Sequence, residues 1–349
     1  MDFRRVLFLI ASIYLVIVAC NKDEVESVSN GPTPYQLSIP SSLPPMNIPG
    51  SNPLTVEGIA LGRKLFYDPL LSGNNIQSCG DCHNQAFGFT DNNFALSTGI
   101  DGIDGTRNSM PLFNLGYASN FFWDGGATTL ESQVVGPITN PIEMHEDLTN
   151  CVNELKSQPD YPALFKAAFQ TDSITISMVM KAIAQFERTL ISGSSKYDQS
   201  VKGQVALTSQ EESGKLVFLS AAKGDCTHCH ILGSTFTDFA YKNNGLDSIS
   251  ADSGRARITL NPTDLGKFKT PSLRNIAVTP PYMHDGRFST LQQVIEHYNT
   301  GFHYAANLDP NLQNAVKGRM SPQEISDLIA FLMTLTDTDF LSNPAYGHP

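Results

Sequence analysis

The sequence predicts a mainly α fold of two similar units, and three observations carry that expectation. Apolar residues recur at helical spacing behind polar helix starts, no long alternating strand is present, and the pentapeptide Cys-x-x-Cys-His occurs twice. The copies are Cys79-Gly80-Asp81-Cys82-His83 and Cys226-Thr227-His228-Cys229-His230, which use four of the six cysteines. Two thiols two residues apart can add to the two vinyl groups of one porphyrin, and the adjoining histidine then reaches the iron. A zinc knuckle needs paired Cys-x-x-Cys units on one ion, and a thioredoxin-like site lacks the following histidine. The motifs therefore predict two covalent c-type haems, with His83 and His230 as proximal ligands, in two cytochrome c-like haem domains with long connecting loops.

Taken in order, Arg4 and Arg5 precede an apolar run from Val6 to Ala19 that is short for a membrane span and reads as a signal peptide. It ends in Ile17-Val18-Ala19-Cys20, similar to a bacterial lipobox. Residues 1–20 are thus expected to be a lipoprotein signal, with Cys20 lipidated and the protein anchored on the periplasm-facing side of a membrane; ordinary cleavage to a soluble periplasmic product is the alternative. Residues 21–53, rich in Ser, Pro, Asn and Gly, read as a flexible tether. The expected domains are residues 54–205, around the first haem, and 206–340, around the second.

A helix is expected over Thr55 to Tyr67, with Ile59, Leu61, Leu65 and Phe66 inward, and another from about Ser173 to Ile191 through Val179, Ile183, Phe186 and Leu190. Between Gln85 and Pro141 the abundance of Gly, Asn and Asp predicts loops wrapped around a cofactor. Leu148, Cys151, Val152 and Leu155 form a helical apolar stripe, so Cys151 reads as a core thiol. Thr208-x-x-Glu211 and Ser321-Pro322-x-Glu324 resemble capping boxes, the latter opening a helix with Ile325, Leu328, Ile329 and Leu332 inward. A weak repeat is visible: each haem motif is followed by Phe-Thr-Asp, at 89–91 and at 236–238. His228 reads as a surface residue.

The 349 residues carry a formal net charge of −11 and a pI near 5.1. Such an acidic chain argues against nucleic acid and suits a basic electron-donor protein.

Further landmarks are Gly62-Arg63-Lys64-Leu65-Phe66, Arg107-Asn108-Ser109, Phe122-Trp123-Asp124-Gly125, Gln133, Pro141-Ile142-Glu143-Met144, Thr270-Pro271-Ser272-Leu273-Arg274-Asn275 and Pro281-Tyr282-Met283-His284-Asp285-Gly286. With these, residues 54 to 340 resemble the bacterial di-haem cytochrome c peroxidase family, which includes the MauG-like enzymes that oxidise tryptophan residues of a partner protein.

The resemblance implies that hydrogen peroxide binds at the haem of His83 and that electrons enter at the haem of His230. Many members close the first iron with a histidine in a Ser-Thr-Gly-His stretch; here the stretch is Ser97-Thr98-Gly99-Ile100, and isoleucine cannot ligate iron. An open first iron is therefore expected, as in the MauG-like branch, with Met110 and His145 as nearby alternative ligands. The resemblance makes Glu143 the proton carrier for O–O cleavage, Gln133 the amide that hydrogen-bonds peroxide, and Trp123 the aromatic residue between the haems. It gives Asn108, Thr279 and Pro281 to a calcium ion, which oxygen ligands suit. At the second haem the matching distal position is Tyr298, where MauG has tyrosine and typical peroxidases methionine. Leu291, Val294, Ile295 and Tyr298 share one helix face, so Tyr298 points inward either as a ligand or as an ordinary buried tyrosine. His284 matches a family histidine near this haem; His297 and His303 carry no role.

The expected activity is reduction of hydrogen peroxide to water with electrons from a small donor protein such as a cytochrome c, in a protein of a family often found as homodimers. The alternatives are a MauG-like peroxide-dependent oxidase of a protein partner, favoured by Ile100 and Tyr298, and a non-catalytic electron-transfer cytochrome.

Overall fold

Each half of the chain is organised by a pair of helices that cross at a glycine. The computed structural model describes residues 31–349 apart from Asn92. The helix Val56–Phe66 packs on Ile176–Thr189, and Ser209–Leu219 packs on Pro322–Met333. A Cβ at Gly62 would overlap the Ala182 carbonyl, and one at Gly214 the Asp327 carbonyl, so both crossings need a residue without a side chain. The mainly α fold is as the sequence predicts. The only strands among the described residues are Tyr241–Lys242 and Phe268–Lys269, paired antiparallel in register Tyr241 with Lys269.

The helix ends follow their capping residues. Thr55 accepts from Gly58 N at 3.0 Å, and reciprocal boxes form between Thr208 and Glu211 and between Ser321 and Glu324. Each cap satisfies amide donors that the helix cannot, worth about 1 kcal/mol. Leu61, Leu65 and Phe66 are buried, as are Val179, Ile183 and Phe186, with Leu190 just beyond its helix end; Ile59 is half-buried. Ile325, Leu328 and Leu332 face inward while Ile329 is half-buried. Cys151 lies fully buried with Leu155 on the helix Leu148–Ser157.

The two halves repeat an aromatic cluster. Phe66 lies 5.4 Å from Phe186 and 6.0 Å from Phe89; Phe218 lies 5.4 Å from Phe331 and 6.4 Å from Phe236. These rings centre two apolar cores, one holding Leu61, Phe89, Cys151 and Phe186, the other Phe218, Phe236, Ile295 and Phe331. The chain's end crosses back to the first core: Phe340 packs 5.8 Å from both Phe89 and Phe113. Arg63 Nε donates to Gly347 O at 2.7 Å, and Tyr67 OH to Tyr346 O at 2.8 Å, strapping the tail over the first helix.

Two differences from the sequence reading stand out. The stretch expected as loops contains a helix, Leu130–Thr139, opened by a Thr129–Ser132 capping box and buried through Leu130, Val134 and Ile138 at a spacing of four. Its serine at the third position and internal Pro137 hide it from a search for Glu at that place. Part of the expected tether is docked: Thr33 N donates to Glu57 at 2.8 Å, Ser42 Oγ to Gly193 O at 2.6 Å, and Asn52 Nδ2 to Glu131 at 2.7 Å. The polar composition supplies hydrogen bonds to the folded body, so this part of the stretch is not a free tether. The expected signal sequence 1–20, including Cys20, lies outside the described residues. Among those described, no helix is long and apolar enough to cross a membrane.

Candidate active site

The first motif occupies one helical turn, Cys79–Cys82, started by Ser78, whose amide and hydroxyl both donate to Asp81 at 2.7 and 2.8 Å. The second forms a tight turn over Cys226–His228. None of the four cysteines is tied up in a disulfide among the described residues. They are available for thioether bonds.

The histidines that follow are oriented in the same way. His83 Nδ1 lies 2.7 Å from Phe89 O, and His230 Nδ1 lies 3.3 Å from Phe236 O. A carbonyl can only accept, so Nδ1 carries the proton in both rings and Nε2 presents its lone pair. Burial holds both histidines below their ordinary range, which keeps them neutral and able to bind metal. Phe89 and Phe236 sit at φ of 60° and 53°, in a region that non-glycine residues seldom visit. The Phe-Thr-Asp repeat thus aims a carbonyl at the histidine of each motif.

Behind the first motif opens a cavity of about 740 Å³. Cys79, Cys82 and His83 share its wall with Gln133, Glu143 and Trp123. Glu187 also lines this wall, only 3 % exposed, with Oε2 lacking any partner among the described residues. Burial raises Glu187 to about 8, against the pull of Arg188. A cofactor-sized space with two thiols, an oriented imidazole and an unpaired buried polar atom fits a porphyrin.

Gln133 comes from the helix Leu130–Thr139, and Glu143 from the turn that follows it. Glu143 N donates to Asn140 O at 3.0 Å and Met144 N to Pro137 O at 3.2 Å, so the turn is tied to the helix carrying Gln133. Glu143 is half-buried; desolvation raises its pKa, and a hydrogen bond with the Asn140 side chain opposes the rise. Ser97, Thr98 and Gly99 reach the cavity wall, and Ile100 N donates to Glu143 O at 2.9 Å. Met110 also lines the cavity. His145 does not: its Nδ1 is 2.6 Å from Asp101 on the exposed surface, which turns it away from the iron site considered for it.

Trp123 forms part of the walls of both the first cavity and the second. It is 8 % exposed, and its Nε1 donates to Asn108 O at 2.9 Å. The second cavity brings together Cys226, Cys229 and His230 with Tyr298, Met283 and His284. Asn108, Thr279 and Pro281 line it too. Asn108 Nδ2 donates to Ala95 O at 3.0 Å, leaving its side-chain oxygen as an acceptor. His284 stacks on Phe268 at 3.7 Å, His297 meets Asn244 O at 3.1 Å, and His228 lies exposed beside Asp225.

Tyr298 lies in a π-helical turn, His297–Gly301, that continues the helix Leu291–Glu296. Its hydroxyl oxygen accepts from Asn244 Nδ2 at 3.2 Å, and the same amide lies 3.4 Å from Met283 Sδ. Burial pushes Tyr298 up to about 12, with Asn244 pulling down. Sequence pattern did not single out Asn244, and it gave Met283 no role beyond its place in the landmark Pro281-Tyr282-Met283-His284-Asp285-Gly286; the two are distant in the chain and carry no spacing signal. Single-turn π-helices recur at functional sites, but their pattern cannot be read from residue types.

Residues 56–206 match the family model of the di-haem cytochrome c peroxidases. The chain is 35% identical over 338 residues to a methylamine utilization protein MauG of Methylophilus methylotrophus, covering 96% of both chains. It is 35% identical to a cytochrome c551 peroxidase of Nitrosomonas europaea, covering 79% of both. The crystal structure of a MauG-like protein associated with microbial copper homeostasis superposes with a TM-score of 0.84 at 33% identity, covering 90% of this chain and 99% of that one.

Proposed function

This chain belongs to the di-haem cytochrome c peroxidase family, and from that premise we propose that Glu143 and Gln133 make the cavity of His83 the site where hydrogen peroxide is reduced to water. The protein is a peroxidase-type oxidoreductase with two c-type haems. Cys79, Cys82 and His83 hold one, and Cys226, Cys229 and His230 the other, in units we assign to residues 54–205 and 206–340. The haem of the first site supplies the iron at which peroxide binds and is reduced.

The observation that carries the reading is the presence of a half-buried, raised-pKa carboxyl and an amide in the wall that also holds His83. Gln133 orients peroxide by hydrogen bonding. Glu143 takes a proton from one peroxide oxygen and returns it to the other, so the leaving group departs as water and not as hydroxide. Overall, peroxide, two electrons and two protons give two waters. Trp123, shared by both cavity walls, is the conduit between them, and an external donor such as a small cytochrome c supplies electrons on the side of His230. Asn108, Thr279 and Pro281 offer oxygen ligands for a calcium ion beside that conduit. The sequence of residues 1–20 supports a periplasm-facing location with a lipid anchor on Cys20, and a homodimer fits the family resemblance.

Replacing Glu143 by Gln tests the reading. Turnover with a small donor should fall by about 10²-fold or more while both haems stay attached; an unchanged rate would remove Glu143 from the mechanism. A second reading, peroxide-dependent oxidation of a protein partner, is favoured by Ile100 at the place of a ligating histidine and by Tyr298. It predicts peroxide consumption that depends on a protein substrate and not on a small donor.

A further inference from the structure

Lys269 is a buried cation with no carboxylate partner among the described residues. It is 6 % exposed, ends the short strand Phe268–Lys269, and forms part of the walls of both cavities. Its backbone N donates to Trp123 O at 2.8 Å, fixing the residue beside the aromatic bridge. Its Nζ donates to Asn120 O at 2.8 Å and lies 5.8 Å from the centre of the Phe121 ring. Phe121 lines the first cavity and not the second, so the charged end faces the first. An ammonium group has three donors, and one carbonyl satisfies one of them. Asp124, the acid whose charge acts on Lys269, is already bound by Arg107 at 2.6 Å.

A buried charge with two unused donors is costly unless an anion meets it. The first cavity is the site of a group whose rim carries two carboxylates, the haem propionates. We propose that Lys269 is the receptor for a propionate of the haem held by Cys79, Cys82 and His83, and that it fixes that carboxylate at the wall shared with Trp123. This rests on the assignment of a haem to the first cavity; it does not depend on the roles of Glu143 and Gln133. Burial lowers Lys269 to about 8 even with Asp124 opposing it, and a propionate partner keeps it charged. Of the other cations on the same wall, Arg107 is engaged by Asp124 and Asp252, and Arg257, which is exposed, is the competing one.

The test is an equilibrium spectroelectrochemical titration of both haems in the full-length holoprotein, with haem content measured as the pyridine haemochrome. Lys269→Met removes a positive charge beside the first haem, so its reduction equilibrium should shift about tenfold toward the oxidised form, a potential about 59 mV lower. Lys269→Arg should restore it, and Arg257→Gln should leave it in place. An unchanged potential in K269M with both haems attached, or a shift in R257Q in its stead, would overturn the proposal. Should K269M lose haem, resonance Raman spectra of the wild type and K269R decide. The propionate bending band should differ between them, and identical bands would count against a direct contact. The titration contains no peroxide, so an E143Q protein that kept its activity would remove the catalytic reading without touching this one.

Discussion

His83 Nδ1 lies 2.7 Å from the carbonyl oxygen of Phe89, six residues on, while the Phe89 side chain is fully buried between Phe66 and Phe340. One residue therefore aims the proximal histidine with its backbone and anchors that backbone with its ring. Phe89→Ala should cost about 3–5 kcal/mol through the cavity it leaves. It should also loosen the carbonyl that fixes the histidine tautomer. Thermal unfolding would show a lowered Tm, and a broadened ferric spectrum at the first haem is expected in the fraction that folds. A variant with native Tm and spectrum would show that the ring does not hold the carbonyl in place.

Activity should be lost on acidification above the ordinary carboxylate range. Glu143 must be ionised to take a proton from peroxide, and desolvation raises its pKa. The sign is fixed: protonation increases as pH falls, so the acid limb of kcat/KM lies above the ordinary glutamate value of 4.5. Glu143→Asp should move that limb, and Glu143→Gln should abolish it with the activity. A limb that stays in place in E143D would belong to another group.

How much of this was legible in the residues depended on whether the signal was local. The two pentapeptides named the cofactor because thioether chemistry constrains adjacent residues, and Thr208 with Glu211 or Ser321 with Glu324 marked helix starts because a cap is satisfied within one turn. The helix carrying Gln133 was hidden by a Ser132 box and Pro137, and the tail strapped over Arg63 and Tyr67 by contacts that join residues far apart in the chain. Lys269 and Asn244 have the same character. Nothing in Phe-Lys-Thr or Asn-Asn-Gly says that a buried amine or amide will face a cavity, since that follows from packing alone. The Phe-Thr-Asp repeat was visible, but the use of its carbonyl required the fold.

Removing the methyl-free contact at Gly62 should separate the first helix pair. The added Cβ of Gly62→Ala meets the Ala182 backbone, which cannot move aside as a flexible side chain would. Overpacking of this kind costs about 1–3 kcal/mol, more than the gain in helix propensity of about 1 kcal/mol. Gly214→Ala, set against Asp327 in the second pair, should behave alike. Chemical denaturation of both variants checks this; a neutral or stabilised G62A would mean that the helices can part without loss.

Stability should fall as pH rises from about 4.5 to about 8, on account of Glu187. Its folded-state pKa of about 8 lies above the ordinary 4.5, so the folded chain keeps a proton that the unfolded chain releases. A raised carboxyl contributes fully below the lower value, and its contribution is lost progressively until the upper one. Glu187→Gln keeps the shape without the ionisation, so it should flatten the dependence and raise stability near pH 7. Denaturation midpoints at pH 5, 6, 7 and 8 measure the slope, and equal slopes in wild type and E187Q would contradict the assignment.

The distal side of the second haem is decided by two side chains that share one amide. Asn244 Nδ2 donates to the Tyr298 hydroxyl at 3.2 Å and sits 3.4 Å from Met283 Sδ, so oxygen and sulfur stand close together in the cavity of His230. A phenolate ligand would lower the reduction potential of that haem and a thioether would raise it. The hydrogen bond that Asn244 donates favours the phenolate by stabilising its negative oxygen, while burial opposes it. With tyrosine as ligand, Tyr298→Phe should change the electron paramagnetic resonance signal of the second haem and raise its potential, leaving the first signal as it was, and Met283→Leu should change neither. The reverse pattern would make methionine the ligand and Tyr298 a buried, hydrogen-bonded tyrosine.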